Sequence, residues 1–247
     1  MDHALFVAMT GAKHIMLAQT IHANNLANVS TQGFKADLAQ ARSMGVYYGS
    51  GLPSRAYALT ESPAIDFTQG AAMSTERDFD IALENRGFIA VQAPDGNEAY
   101  TRSGRMYVDT VGILRTGNDL PVMGDAGPIA LPEFDKAEIA VDGTISLVVK
   151  GEKPDALAAL NRIKLVSPDE KELIKGGDGL YRLKDGGVAE ADVDVRVVRG
   201  FLEASNVNAV NEMTNILSLS RQYELQIKIM HTVEENSQAS ARLLQLS

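Results

Sequence analysis

The sequence predicts an α+β fold: an antiparallel β domain, a sandwich or small barrel, inserted between N- and C-terminal helices of coiled-coil type. Three observations predict it. Apolar residues recur at alternating spacings of four and three over residues 5–26 and again over 209–244, the mark of helices seamed for a helical partner. Between them, from about Ser74 to Val198, the apolar period drops to two and turn pairs follow closely on one another, as short antiparallel strands require. Gly49, Gly51, Pro53, Pro63 and Gly70 interrupt the stretch before the strands, which reads as a linker. The chain thus divides into an N-terminal helix over 1–36, an extended linker over 37–73 with a strand or two, a β domain over 74–198, and a C-terminal helix over 199–247.

The seam of the first helix is Leu5, Met9, Ala12, Met16, Gln19, Ala23 and Leu26, broken only by Gln19. A second row, Ala8, Ile15 and Val29, lies beside it and is broken by His22. Asp2 is placed to cap the helix. Two apolar rows give the helix two sides to bury, which favours packing between subunits over simple pairing within one. The helix closes on Asn24, Asn25 and Asn28, then breaks at Ser30, Thr31 and Gly33 before Phe34. Asparagine forms helices poorly because its amide competes for backbone groups. Three of them in five residues fit either a frayed end or interface amides that set register. Asn24 and Asn28 share a face, and Gly33 sits where a left-handed cap would stop the helix. Ala36–Arg42 extends the helical pattern briefly.

Strand candidates are Phe79–Leu83, Gly87–Ala93, Ala99–Arg102, Ile113–Thr116, Glu138–Val141, Thr144–Val149, Arg162–Val166, Leu180–Leu183 and Asp192–Val198. In the last, Val193, Val195 and Val197 oppose Asp192, Asp194 and Arg196. Asp95-Gly96, Asp142-Gly143, Asp178-Gly179 and Asp185-Gly186 are hairpin-turn candidates. Glu152–Asn161 reads as an insertion with a helical turn. The last helix is seamed by Ala209, Met213, Ile216, Ser220, Tyr223, Ile227, Met230, Glu234, Ser237, Ala241 and Leu244. Ser205 or Asn208 caps it, Glu212 favours the dipole in its first turn, and Glu224 faces Lys228 one turn on. At roughly 38 residues it would span about 57 Å.

Composition excludes several function classes. The net charge of -9, with no basic cluster, argues against a nucleic-acid partner. The absence of cysteine removes disulfides, thiolate metal sites and thiol chemistry. Met1-Asp2-His3 has no basic signal region, Ala4–Met9 is too short for a signal core, and no run approaches a membrane span. The expectation is no membrane span and no cleaved signal. All four histidines, His3, His14, His22 and His231, lie in the terminal helices, so the β domain has no Ser-His-Asp site. His22 reads as an interface histidine, and His14 and His22 are badly spaced for a metal. Asp78, Asp80 and Glu84 are the nearest approach to paired carboxylates. With Arg77 beside them they read as a solvated strand face, although a glycosidase-like cleft is the alternative. Gly124-Asp125-Ala126-Gly127 lacks phosphate-loop spacing, and Tyr47-Tyr48 reads as linker packed on its own domain. No cofactor or metal is expected.

Ala23–Lys35, ANNLANVSTQGFK, closely resembles the signature of the bacterial flagellar axial proteins, the rod, hook and junction family. Thr75–Ala93, Glu98–Gly104, Gly200–Val210, Glu212-Met213 and Arg221–Glu224 resemble further stretches of that family in order. Met1-Asp2, Gly51–Arg55, Gly124–Pro132 and Leu243–Ser247 resemble its proximal rod class. Ala36–Arg42 departs from the Phe- and Leu-rich segment of the distal rod class. The resemblance implies a structural subunit of the basal-body rod, needed for motility and exported by the flagellar type III apparatus without cleavage. It implies partners in other copies of the chain and in other rod proteins, with both terminal helices in the inner layer of a tube. Contact with peptidoglycan or a surrounding ring is left open. The implied interface comprises Leu5, Met9, Ala12, Met16, Asn24, Asn25, Leu26, Asn28, Val29, Gly33 and Phe34. From the C-terminal part it adds Asn206, Asn208, Met213, Ile216, Tyr223, Ile227, Met230 and Leu244. The competing classes are a carbohydrate-acting enzyme with helical arms and a free adhesion module.

Overall fold

The structure, a computed structural model, describes residues 3–39, 41–46, 55–60, 64–84, 86–151 and 158–245. They form two compact units. Residues 1–29, 36–66 and 207–247 make up a helical unit, and residues 30–35 and 67–206 a β unit. The cap expected at Asp2, the tyrosine pair 47–48 and residues 152–157 lie outside the described residues.

In the helical unit, α1 (His3–Ala27) packs on α2 (Ala209–Gln245). His22 meets Glu212, and Gly11 faces Gln226 across the pair, so the two helices run antiparallel. The row of α1 that sinks into the unit contains Ala8, Ala12, Ile15 and His22, whereas Met9 and Met16 of the expected primary seam stay exposed. Small side chains decide this choice. Ala8 and Ala12 are buried, and a Cβ on Gly11 would lie 3.3 Å from the Gln226 side chain. The polar break in that row is met by a hydrogen-bonding partner, with His22 Nδ1 and Glu212 Oε2 2.5 Å apart. On α2 the less exposed row is Glu212, Ile216, Leu219, Gln226, Met230 and Val233.

The pairing register puts the first turn of α1 near Val233, so about the last three turns of α2 extend beyond it. Residues 234–242 are exposed throughout. At the other end, Asn208 caps α2 as expected. Its Oδ1 accepts from the amides of Val210 at 3.0 Å and Asn211 at 3.3 Å. Asn208→Ala should therefore cost about 1 kcal/mol, read as a lowered thermal midpoint of the helical signal.

Residues 36–39 and 41–42 are not helical. Asp37–Leu38 pairs with Ala64–Ile65, and Ala41–Val46 forms a six-residue antiparallel ladder with Arg55–Thr60. The reason lies in Asn25. Its Nδ2 donates to the Asp37 carbonyl and its Oδ1 accepts the Asp37 amide, both at 2.9 Å. This single side chain satisfies both backbone groups of Asp37 and holds it extended.

The β unit is built from small antiparallel sheets around one core. A five-stranded sheet runs in the order Leu165–Val166, Phe88–Gln92, Glu98–Thr101, Tyr181–Leu183, Leu173–Lys175. A three-stranded sheet joins Phe134–Ile139, Thr144–Val149 and Ala158–Arg162. Ile81–Leu83 pairs with Val197–Arg199, and Ala72–Ser74 with Phe201–Glu203. Ile89, Val91, Leu114, Ile145, Leu147 and Ile163 are fully buried in the core. Gly96, Gly143, Gly179 and Gly186 take φ of +83°, +82°, +78° and +71°, the left-handed region that glycine tolerates. The first three Asp-Gly pairs close hairpins, whereas Asp185-Gly186 does not, because Tyr181–Leu183 pairs with earlier strands and not with the next one.

Three further expectations in this unit are corrected. Residues 158–161 are strand rather than helical turn. Asp192–Arg196 is not strand, because Asp192 Oδ1 captures the Asp194 amide at 2.9 Å in a local turn, a habit of short acidic side chains. Asp80 does not lie on a solvated strand face: it is buried at 1% exposure, with the Arg77 Nε 4.0 Å from its carboxylate. Its backbone explains the burial, since its carbonyl accepts the Gly200 amide at 2.7 Å where the two strand pairs meet.

Candidate assembly surface

Large apolar side chains left in water mark surfaces built to be covered. Among the described residues, twelve of the twenty large exposed hydrophobics lie on α1 and α2. On α1 they are Phe6, Val7, Met9, Met16 and Leu17; on α2 they are Val210, Met213, Leu217, Tyr223, Leu225, Ile227 and Ile229. Met16 and Leu217 are each 62% exposed.

The residues expected to form the interface therefore fall into three groups. Met9, Met16, Met213, Tyr223 and Ile227 are on exposed helix faces. Ala12 is buried, and Leu5, Leu26, Val29, Ile216 and Met230 are partly covered. The Leu244 side chain lies outside the described residues. Sequence reasoning missed Phe6, Val7, Leu17, Val210, Leu217, Leu225 and Ile229. They stand off the four-three seam, and nothing in a single periodic row marks a second apolar face.

The asparagines divide differently. Asn24 is exposed, and Asn28 Nδ2 donates to its carbonyl at 3.0 Å and its Oδ1 at 3.3 Å. Asn25 is 1% exposed and committed to Asp37 within its own chain. Asn208 is the α2 cap. Asn206 Nδ2 reaches the Thr68 carbonyl and hydroxyl, both at 3.2 Å.

Gly33 and Phe34 belong to the β unit. Gly33 has φ +69°, and a Cβ there would lie 2.4 Å from the Arg102 carbonyl carbon. Lys175 Nζ sits 3.9 Å from the centre of the Phe34 ring, a cation–π contact.

Electrostatics point to structure rather than chemistry. Hydrogen bonds from the Thr144 amide and hydroxyl hold the Asp142 carboxyl below its ordinary range, and Arg182 does the same for Asp178. Both are turn residues. Burial pushes the Tyr100 phenol up to about 12 while its oxygen accepts the Ala189 amide at 2.7 Å. Among the described residues there is no group of three or more potential metal ligands and no helix long and apolar enough to cross a membrane.

The comparisons with known proteins agree with this picture. The model described as "Flagellar basal body rod FlgEFG protein C-terminal" matches residues 198–243. The model described as "Flagellar hook protein FlgE/F/G D1 domain" matches residues 82–147. The flagellar basal-body rod protein FlgF of Escherichia coli is 41% identical, with both chains covered in full. That of Salmonella typhimurium is 40% identical, again over the whole of both chains. FlgF of Caulobacter vibrioides is 34% identical over 99% of this chain and 98% of its own. With exposed apolar faces on both terminal helices and full-length likeness to rod proteins, the chain belongs to the flagellar basal-body rod protein family.

Proposed function

We propose that the chain is a structural, non-enzymatic subunit of the flagellar basal-body rod, of the proximal class, which polymerises through its terminal helices. The observation that carries this reading is the pair of unpaired apolar faces on α1 and α2. Covering a side chain such as Leu217 contributes about 1.5 kcal/mol, so a dozen of them supply ample drive for association. The overhanging end of α2 is exposed among the described residues and suits the seam of a neighbouring copy, in coiled-coil-type packing. Full-length likeness to FlgF supports the proximal class. Its partners are then further copies of itself and other rod proteins. The same likeness supports export by the flagellar type III apparatus, without a cleaved signal, to a periplasm-spanning rod.

A paired substitution tests the reading. Met213→Asp with Leu217→Asp changes two exposed side chains, so the dilute protein should keep its thermal midpoint. The same variant should fail to restore swimming to a strain lacking the gene. Restored swimming would remove this face of α2 from the interface.

A further inference from the structure

The chain passes between its two units four times, at 29/30, 35/36, 66/67 and 206/207. On the β unit, residues beside three of these passages, at 35/36, 66/67 and 206/207, meet at one buried charge cluster. Glu203 is its centre. Its Oε1 accepts from Lys35 Nζ at 2.6 Å and from the Gly70 amide at 2.9 Å, and its Oε2 accepts from Arg102 Nε at 2.8 Å. Lys35 Nζ also donates to the Thr68 carbonyl at 2.6 Å, and Arg102 donates to the Gly87 carbonyl at 2.8 Å. The Lys35, Arg102 and Glu203 side chains are only 1%, 4% and 2% exposed. Backbone bonds run alongside: Gly33 to Glu203 at 2.8 Å, Asn206 to Phe34 at 3.4 Å, and Ala204 to Ala71 at 2.8 Å.

We propose that Lys35, Glu203 and Arg102 form an ionic clasp whose role is to fasten the junction segments to the β unit within each subunit. Lys35 is a positioning residue on a short peg, residues 30–35, that plugs into the β unit. Two features separate the clasp from ordinary core. The groups are charged, and a buried charge network is a poor source of net stability compared with apolar packing but a good source of unique geometry. The peg is also local, since 30–35 contributes no strand to any sheet and is held by the clasp, its backbone bonds and the Lys175–Phe34 contact. This goes beyond the rod reading. It assigns the second half of the Ala23–Lys35 stretch to fastening inside one subunit, and it holds or fails in the isolated protein.

The test is amide hydrogen exchange on the dilute full-length protein and on Lys35→Met. Methionine keeps most of the side-chain bulk while removing the ammonium, and it leaves the Arg102–Glu203 pair in place. The clasp predicts at least tenfold faster exchange at Gly33, Gly70 and Asn206. Ala90, Val122 and Ile129, in the core ladders, should exchange as in the parent. Unchanged exchange at all six amides would mean that the charge of Lys35 holds nothing. Acceleration of all six by one common factor would make Lys35 a plain core residue. Either result overturns the clasp, and neither bears on whether the helices polymerise.

Discussion

Glu203→Ala should lower the stability of the β unit by about 3–5 kcal/mol, the usual penalty for stranding buried charge. Glu203 accepts from both Lys35 and Arg102 in the clasp, and its loss also takes the acceptor from the Gly70 amide. At about 2–4 °C per kcal/mol for a unit of this size, the melting temperature should fall by roughly 10 °C, read by circular dichroism. Glu203→Gln retains the shape and one acceptor oxygen, so it should fall between the alanine variant and the parent. A melting temperature within a degree or two of the parent in Glu203→Ala would mean that water or another anion takes over from the carboxylate.

The second large effect is expected at Gly104. A Cβ there would lie 1.7 Å from the Ile81 carbonyl oxygen and 2.8 Å from its carbon. Both obstacles are backbone, and the Ile81 amide already donates to the Gly104 carbonyl at 3.0 Å. No rotamer change relieves such a clash, so the strand Ile81–Leu83 must move out of the core. Gly104→Ala should cost about 3 kcal/mol, the upper end for overpacking, seen as a lowered urea midpoint. Gly177→Ala is the matched control: a Cβ there meets nothing within 4 Å and the backbone is not left-handed. It should stay within about 0.5 kcal/mol of the parent.

These two positions also mark what was legible in the sequence. The helices, most of the strands and three of the four Asp-Gly hairpins followed from local rules, because periodicity and glycine conformation act over a few residues. Which row of α1 packs inward did not follow. Both rows are apolar, and the choice rests on Ala8, Gly11 and Ala12 admitting the partner helix, and on Glu212 meeting His22 from 190 residues away. The burial of Lys35, Arg102 and Glu203 was illegible for the same reason. A charge enters a core only when its partner is supplied from elsewhere in the chain, here 168 residues away for Lys35 and Glu203. Asn25 shows the limit most clearly. The motif suggested an amide shared between subunits, yet within the chain that amide already serves both backbone groups of Asp37. Asn24 and the outer faces of α1 and α2 remain the surfaces to which the rod reading assigns assembly.

That reading is tested most directly by the reactivity of one side chain before and after assembly. The chain has no cysteine, so Leu217→Cys introduces a single thiol at a position 62% exposed. In dilute full-length protein it should react with a maleimide nearly as fast as in the urea-unfolded chain. In isolated basal bodies it should react at least tenfold more slowly, because a neighbouring subunit covers it. Equal rates in the two states would contradict assembly through this face of the C-terminal helix.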